Sequence, residues 1–129
     1  MNKNLVDSCG WLEYFSDGEN ADFFAPVVEN TEHLIVPTIC ITEVFKVLLR
    51  ERSEDVAFLA ISAMNQGRLV ALDMKLAIDA AKLGLSYKLP LADSVVYATA
   101  RAEKACLWTQ DEHFETLPGI KYVKSRQKK

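Results

Sequence analysis

The sequence predicts an α/β domain with a mainly parallel central sheet covered by helices on both sides. Short apolar runs of strand length recur along the chain, each followed by a segment with apolar residues at helical spacing. That alternation implies βαβ units. No low-complexity segment, internal repeat or linker rich in Gly, Ser or Pro divides the 129 residues, so they read as one domain with its own core. Half the residues are hydrophobic and 26% are charged, the balance of an ordinary globular protein.

The first strand-like run is residues 4–7, "NLVD", closed by Asp7. Residues 11–15, "WLEYF", set Trp11, Leu12 and Phe15 at helical spacing, and 16–20, "SDGEN", is a loop. Residues 22–30 read as a short helix. Residues 33–37, "HLIVP", are a strand closed by Pro37, which also suits the start of the next helix. Over 38–52 the apolar positions 41, 44, 45, 48 and 49 form one helical face. Residues 53–67 are a second amphipathic helix, with Glu54 and Asp55 where the helix dipole favours acids and Gly67 as its C-cap. Residues 68–73, "RLVALD", read as a strand, 74–88 as a helix, and 90–104 as a helix with Pro90 in its first turn. Residues 105–111, "ACLWTQD", are a strand and turn, and 120–123, "IKYV", are the last strand.

The formal charge of −3 is unevenly spread. A basic tail from about residue 121 holds five Lys or Arg and no acid, leaving 10 basic and 18 acidic groups in the other 120 residues. Such a tail either touches nucleic acid or is a solvated end. No apolar run approaches a membrane span, and the N-terminal stretch lacks the apolar core of a secretory signal. Cys9, Cys40 and Cys106 are odd in number and widely spaced, with no C-x-x-C pair, which speaks against a zinc ribbon or redox motif. Cys40 and Cys106 read as small core residues, and the setting as reducing and cytoplasmic.

Four acids stand out. Asp7 ends the first strand, Glu43 lies on the helix after the second, Asp93 sits in the first turns of "PLADSVVYATA", and Asp111 follows "CLWT". In a parallel sheet, strand ends and the helix starts after them meet on one edge, so all four can converge. No basic residue adjoins any of them in "LVDS", "ITEV", "LADS" or "TQDE". Converging carboxylates need protons or a cation. Oxygen donors without nearby His or Cys suit Mg²⁺ or Mn²⁺ rather than zinc, and such a centre suits phosphodiester hydrolysis. Taken singly, each acid also fits an ordinary role as a helix cap or dipole partner.

Together the stretches "LVDSCGWLEYF", "IVPTICITEVFKVLLRE", "YKLPLADSVVYATARAEKACLWTQDEHF" and "LPGIKYV" resemble PIN-domain ribonucleases, in particular the VapC-like toxins of toxin–antitoxin pairs. The resemblance spans nearly the whole chain and rests on the ordered set rather than on any one piece. It implies a three-layer α/β/α fold, Mg²⁺- or Mn²⁺-dependent endonucleolytic cleavage of RNA, and Asp7, Glu43, Asp93 and Asp111 as the catalytic and metal-binding acids. It also implies supporting roles for Ser8 and Thr109, a homodimer, and a cognate antitoxin whose extended tail covers the acidic site. The apolar residues around 11–15 and 41–49 are the expected antitoxin groove. Cys9 and Gly10 depart from the family's usual residues and put the local turn in question.

Lys46, Arg50 and Arg101 follow Glu43 or Asp93 at helical intervals and are candidate RNA contacts, or else solvated helix surface. His33 reads as a turn residue. His113, two positions after Asp111, can approach the site, but "DEHF" reads more simply as a turn with Phe114 packed inward. Two other functions are compatible with the pattern. One is a catalytically silent PIN module that only binds protein or RNA. The other is a phosphoacceptor signalling domain, although the first acid stands alone and "LWTQDEHF" lacks the lysine such a domain needs.

Overall fold

The computed structural model describes residues 2–126; positions 127–129 of the expected basic tail lie outside the described residues. The elements run β1 (Lys3–Val6), α1 (Ser8–Phe15), α2 (Ala21–Val28), β2 (Leu34–Pro37), α3 (Thr38–Glu51), α4 (Glu54–Met64), β3 (Arg68–Val70), α5 (Met74–Tyr87), α6 (Leu91–Glu103), β4 (Ala105–Thr109) and β5 (Ile120–Tyr122). The five strands form one sheet in the order β3-β2-β1-β4-β5, and every pairing is parallel. With helices on both faces this is a three-layer α/β/α fold. Among the described residues, no helix is long and apolar enough to cross a membrane.

Strand β1 is central. The chain leaves it toward β2 and β3, then returns on its other side as β4 and β5. The carboxyl ends of β1 and β4 therefore flank the point where strand order reverses, which is where open α/β sheets bind ligands. The register pairs Val6 with Trp108, so Asp7 and Thr109 come level just beyond the ladder.

The core explains the apolar run around Asp93. All seven residues from Ser94 to Ala100 are buried. Val96, Tyr97 and Ala100 join the main core with Leu5, Val6 and Leu107, while Val95 and Ala98 pack with Leu76 and Ala80 of α5. Helix α6 lies between the sheet and α5, so it must be apolar on two faces. Burying one of its Val side chains contributes roughly 1.5–3 kcal/mol. Its first turn, with Leu91 and Asp93, reaches water at the sheet edge, and its last turn is exposed at Arg101 and Ala102.

Several boundaries differ from the sequence-based expectation. Helix α1 begins at Ser8 rather than 11, because Asp7 caps it: Oδ1 accepts the Gly10 N–H at 3.2 Å. The unusual Gly10 has a steric reason. A Cβ there would lie 2.6 Å from Val6 Cγ1 and 2.7 Å from Phe24 Cε1. Helix α4 ends at Met64 with Asn65 as its C-cap, so Gly67 is not the cap. It instead runs against β2, where a Cβ would meet Val36 Cγ2 at 2.9 Å and the Leu34 carbonyl at 3.0 Å. Strand β3 stops at Val70, since 71–73 turn away to let Asp73 cap α5. Cys40 is fully buried, but Cys106 is only half-buried, and all three cysteines are free.

In the expected groove segment 11–15, Leu12, Tyr14 and Phe15 are half-buried and keep part of their surface open. Trp11 is fully buried and stacks on Phe15. In the second expected segment only Leu49 is an exposed large apolar side chain, and others lie on α4 (Phe58, Leu59), on β3 (Leu69) and on or beside α5 and α6 (Leu72, Met74, Ile78, Leu85, Tyr87, Leu91).

Candidate active site

Asp7 is buried at the carboxyl end of β1, and its carboxylate is fully engaged. Oδ1 accepts from the Cys9 thiol at 2.8 Å and from the Gly10 N–H, while Oδ2 accepts from the Thr109 hydroxyl at 2.7 Å. Burial pushes its pKa up to about 6, against the pull of the Cys9, Thr109 and Gly10 hydrogen bonds. The Cys9 thiol is itself pushed up, first by burial and then by the Asp7 charge, so it remains a neutral donor.

Thr109 ties two acids together. Its oxygen also accepts the backbone N–H of Asp111 at 2.9 Å. Asp111 in turn caps the short 3-10 turn Glu112–Phe114, with Oδ1 accepting the His113 N–H at 2.9 Å. Phe114 is fully buried, as the turn reading expects. That anchor swings the imidazole back over the acids: His113 Nδ1 lies 3.0 Å from Asp93 Oδ2 and 3.0 Å from Asp111 Oδ1. The ligand atoms of Asp93, Asp111 and His113 all lie within 4.8 Å of one another.

Asp93, half-buried, has its pKa pushed up to about 7. Burial is the main cause and the Asp111 charge the next, with His113 opposing and Asp7 adding. The Asp111 charge, followed by burial in the opposite sense and the Asp93 charge, leaves His113 above the usual imidazole range. Among the described residues, no Lys or Arg is ion-paired with any of the four acids. The close approach of Asp93 and Asp111 is countered by one imidazole, that of His113, and three such donors could hold a cation.

Glu43, half-buried on α3, joins through a neighbour: the Ser8 hydroxyl donates to its Oε1. Cys40, one turn earlier, is raised by burial and then by the charges of Asp7 and Glu43, so both carboxylates bear on the same spot. A buried network braces the floor. Glu13 accepts the Asn20 N–H at 2.8 Å and the Gln110 side-chain amide at 3.3 Å. Asn20 Nδ2 donates to Gln110 Oε1 at 2.9 Å and to the Lys124 carbonyl at 3.0 Å. This fixes the chain on either side of the β4 end. A cavity of about 490 Å³, lined by Cys9, Gln110, Asp111, His113, Tyr122 and Lys124 among others, opens beside the acids.

The PIN domain family model matches residues 5–120. The chain belongs to the PIN domain family. Among solved structures it is similar to a toxin–antitoxin complex from Klebsiella pneumoniae, with 21% identity, a TM-score of 0.78 and coverage of 92% of this chain and 96% of that one. VapC20 of Mycobacterium tuberculosis, a sarcin-ricin loop cleaving toxin, is similar at 13% identity and a TM-score of 0.75, covering 92% and 97%. DNA-bound VapBC from Salmonella typhimurium gives 15% and 0.73, covering 96% and 98%. At these identities the likeness is one of fold. No curated protein sequence matches.

Of the acids expected from the PIN pattern, Asp7, Asp93 and Asp111 share one electrostatic cluster, and Glu43 reaches it by way of Ser8. Arg101 is in the last turn of α6, about 12 Å along the helix from Asp93. Its guanidinium bonds the Tyr97 hydroxyl at 3.2 Å and lies over that ring, which directs it away from the acids. Arg50 pairs with Glu51 at the surface, and Lys46 is exposed. His113 comes closer to the acids than a turn residue need. Its signal was its place two residues after Asp111, in a turn that Phe114 anchors.

Proposed function

We propose that this PIN protein is a divalent-metal-dependent endoribonuclease and the toxin of a type II toxin–antitoxin pair, hydrolysing RNA phosphodiester bonds. The observation that carries the reading is the cluster of Asp7, Asp93 and Asp111 at the strand-order reversal, with the pKa values of Asp7 and Asp93 raised and no Lys or Arg paired with them among the described residues. The fold likeness to toxins, one of them an RNA-loop cleaving toxin, supports the same reading.

The donor set suits a hard divalent cation, Mg²⁺ or Mn²⁺. Asp93 and Asp111 would hold it, with Asp7 beside them directly or through water. When bound, the cation supplies Lewis acidity to a phosphoryl oxygen and to the attacking water. Glu43, oriented by Ser8, either ligates or holds that water and takes its proton. Thr109 keeps Asp7 and Asp111 in fixed relation. Attack on phosphorus leaves a 3′-hydroxyl and a 5′-phosphate. Lys46 and Arg50, with Arg101 farther off, are the cations offered to RNA phosphates. A homodimer and an antitoxin tail lying over the acids complete the proposal.

The test is cleavage-site mapping on total RNA with Mg²⁺, using protein freed of any bound antitoxin. Discrete cuts with 5′-phosphate ends support the reading. Intact RNA under those conditions would instead favour a silent binding module.

A further inference from the structure

The donors around the acids are not all oxygen. We propose that His113 is itself a ligand of the catalytic cation, which makes the centre a mixed nitrogen–oxygen site selective for Mn²⁺ over Mg²⁺. The inference rests on the metal-dependent reading above.

The geometry carries it. In an octahedral site with metal–ligand bonds of about 2.1 Å, neighbouring donor atoms stand about 3.0 Å apart. His113 Nδ1 stands 3.0 Å from Asp93 Oδ2 and 3.0 Å from Asp111 Oδ1. His113 Nδ1 thus already stands at adjacent-ligand spacing from an oxygen of each acid, and the ligand atoms of all three lie within 4.8 Å of one another. The backbone holds the ring there, because the His113 N–H is bonded to Asp111 Oδ1 and the next residue, Phe114, is fully buried. The ring is open to solvent on its outer side, with 54% of its side chain exposed, so an aqueous cation can reach Nδ1.

The chemistry sets the preference. Mg²⁺ strongly favours oxygen and sheds water reluctantly, whereas an imidazole nitrogen suits transition metals, and affinity rises from Mn²⁺ along the first row. An all-carboxylate site has little means of telling Mg²⁺ from Mn²⁺. One imidazole supplies it. His33, the other histidine, precedes β2 at the opposite edge of the sheet and cannot take this part.

The test is electron spin echo spectroscopy of the full-length protein loaded with Mn²⁺ alone, which reads directly bound nitrogen without any turnover. Wild type should show ¹⁴N coupling, and protein grown with ¹⁵N-histidine should show ¹⁵N coupling instead, with no substitution needed. His113→Gln should lose the signal and weaken Mn²⁺ binding by about tenfold or more, while Mg²⁺ binding changes less than about threefold. Mn²⁺ bound with no nitrogen coupling would overturn the proposal and leave the nuclease reading standing, with His113 acting only as a hydrogen-bonding counter-charge. No Mn²⁺ bound at all would overturn both.

Discussion

Thr109 and Asp7 are joined by a 2.7 Å hydrogen bond across 102 positions of sequence. The same Thr109 oxygen receives the Asp111 backbone N–H at 2.9 Å. One buried hydroxyl therefore sets two carboxylates relative to each other, just past the ends of β1 and β4. Thr109→Val keeps the shape and deletes both bonds. It should cost about 1–3 kcal/mol of stability, read by urea unfolding. It should also remove a bond that lowers the Asp7 pKa, so the acid limb of the pH–rate profile moves upward. Thr109→Ser should restore both readouts.

Asp7 has a raised pKa, which makes stability depend on pH in a definite direction. The unfolded carboxyl titrates near 3.8 and the folded one near 6. Between these values the unfolded chain has lost a proton that the folded chain keeps. Without metal, stability should therefore fall as pH rises from about 4 through 6 and level off above. The loss from Asp7 is roughly 3 kcal/mol. Asp93, titrating near 7, extends the same trend to slightly higher pH. Asp7→Asn should be more stable than wild type at pH 7.5 by about 1–3 kcal/mol in the absence of divalent ions. Thermal unfolding against pH with chelator checks this, and added Mn²⁺ should stabilise wild type preferentially.

Ser8 donates to Glu43 and touches no other acid of the site by a side-chain hydrogen bond. If Glu43 holds the attacking water, losing that orientation slows turnover without unfolding the protein. Ser8→Ala should lower kcat about ten- to a hundredfold with the melting temperature within a few degrees of wild type. Steady-state cleavage of a short labelled RNA, beside a thermal melt, separates the two effects.

Gly10→Ala tests the close packing that carries Asp7. An alanine normally favours a helix interior by up to about 1 kcal/mol over glycine. Here its methyl meets Val6 and Phe24 below 3 Å. Net destabilisation of about 1–3 kcal/mol is expected, measured by chemical unfolding.

The parallel α/β plan was legible because strands of three to five residues alternate with helices whose apolar positions recur at helical spacing. The acids were legible because strand ends and helix starts meet on one edge whatever the loop details. What escaped was side-chain pairing across long separations. The Asn20–Gln110 bond spans 90 residues and depends on the β1–β4 register. Helix starts were missed where one residue served twice, as Asp7 does in ending a strand and capping α1. Trp11, apolar and at helical spacing, faces the core while Leu12, Tyr14 and Phe15 stay half-buried, a split that spacing alone does not show. His113 was legible as a residue able to approach the site, but its contacts with Asp93 and Asp111 depend on a short turn and not on a periodic element.

The central claim is that Asp93 belongs to a metal centre that cuts RNA. The most direct measurement is the cleavage rate of an RNA pool by antitoxin-free protein with Mg²⁺ or Mn²⁺, comparing wild type with Asp93→Asn after circular dichroism and thermal melting show both folded. The account predicts that wild type cleaves and that Asp93→Asn falls to background with its fold intact. Equal cleavage by the two folded proteins would contradict it.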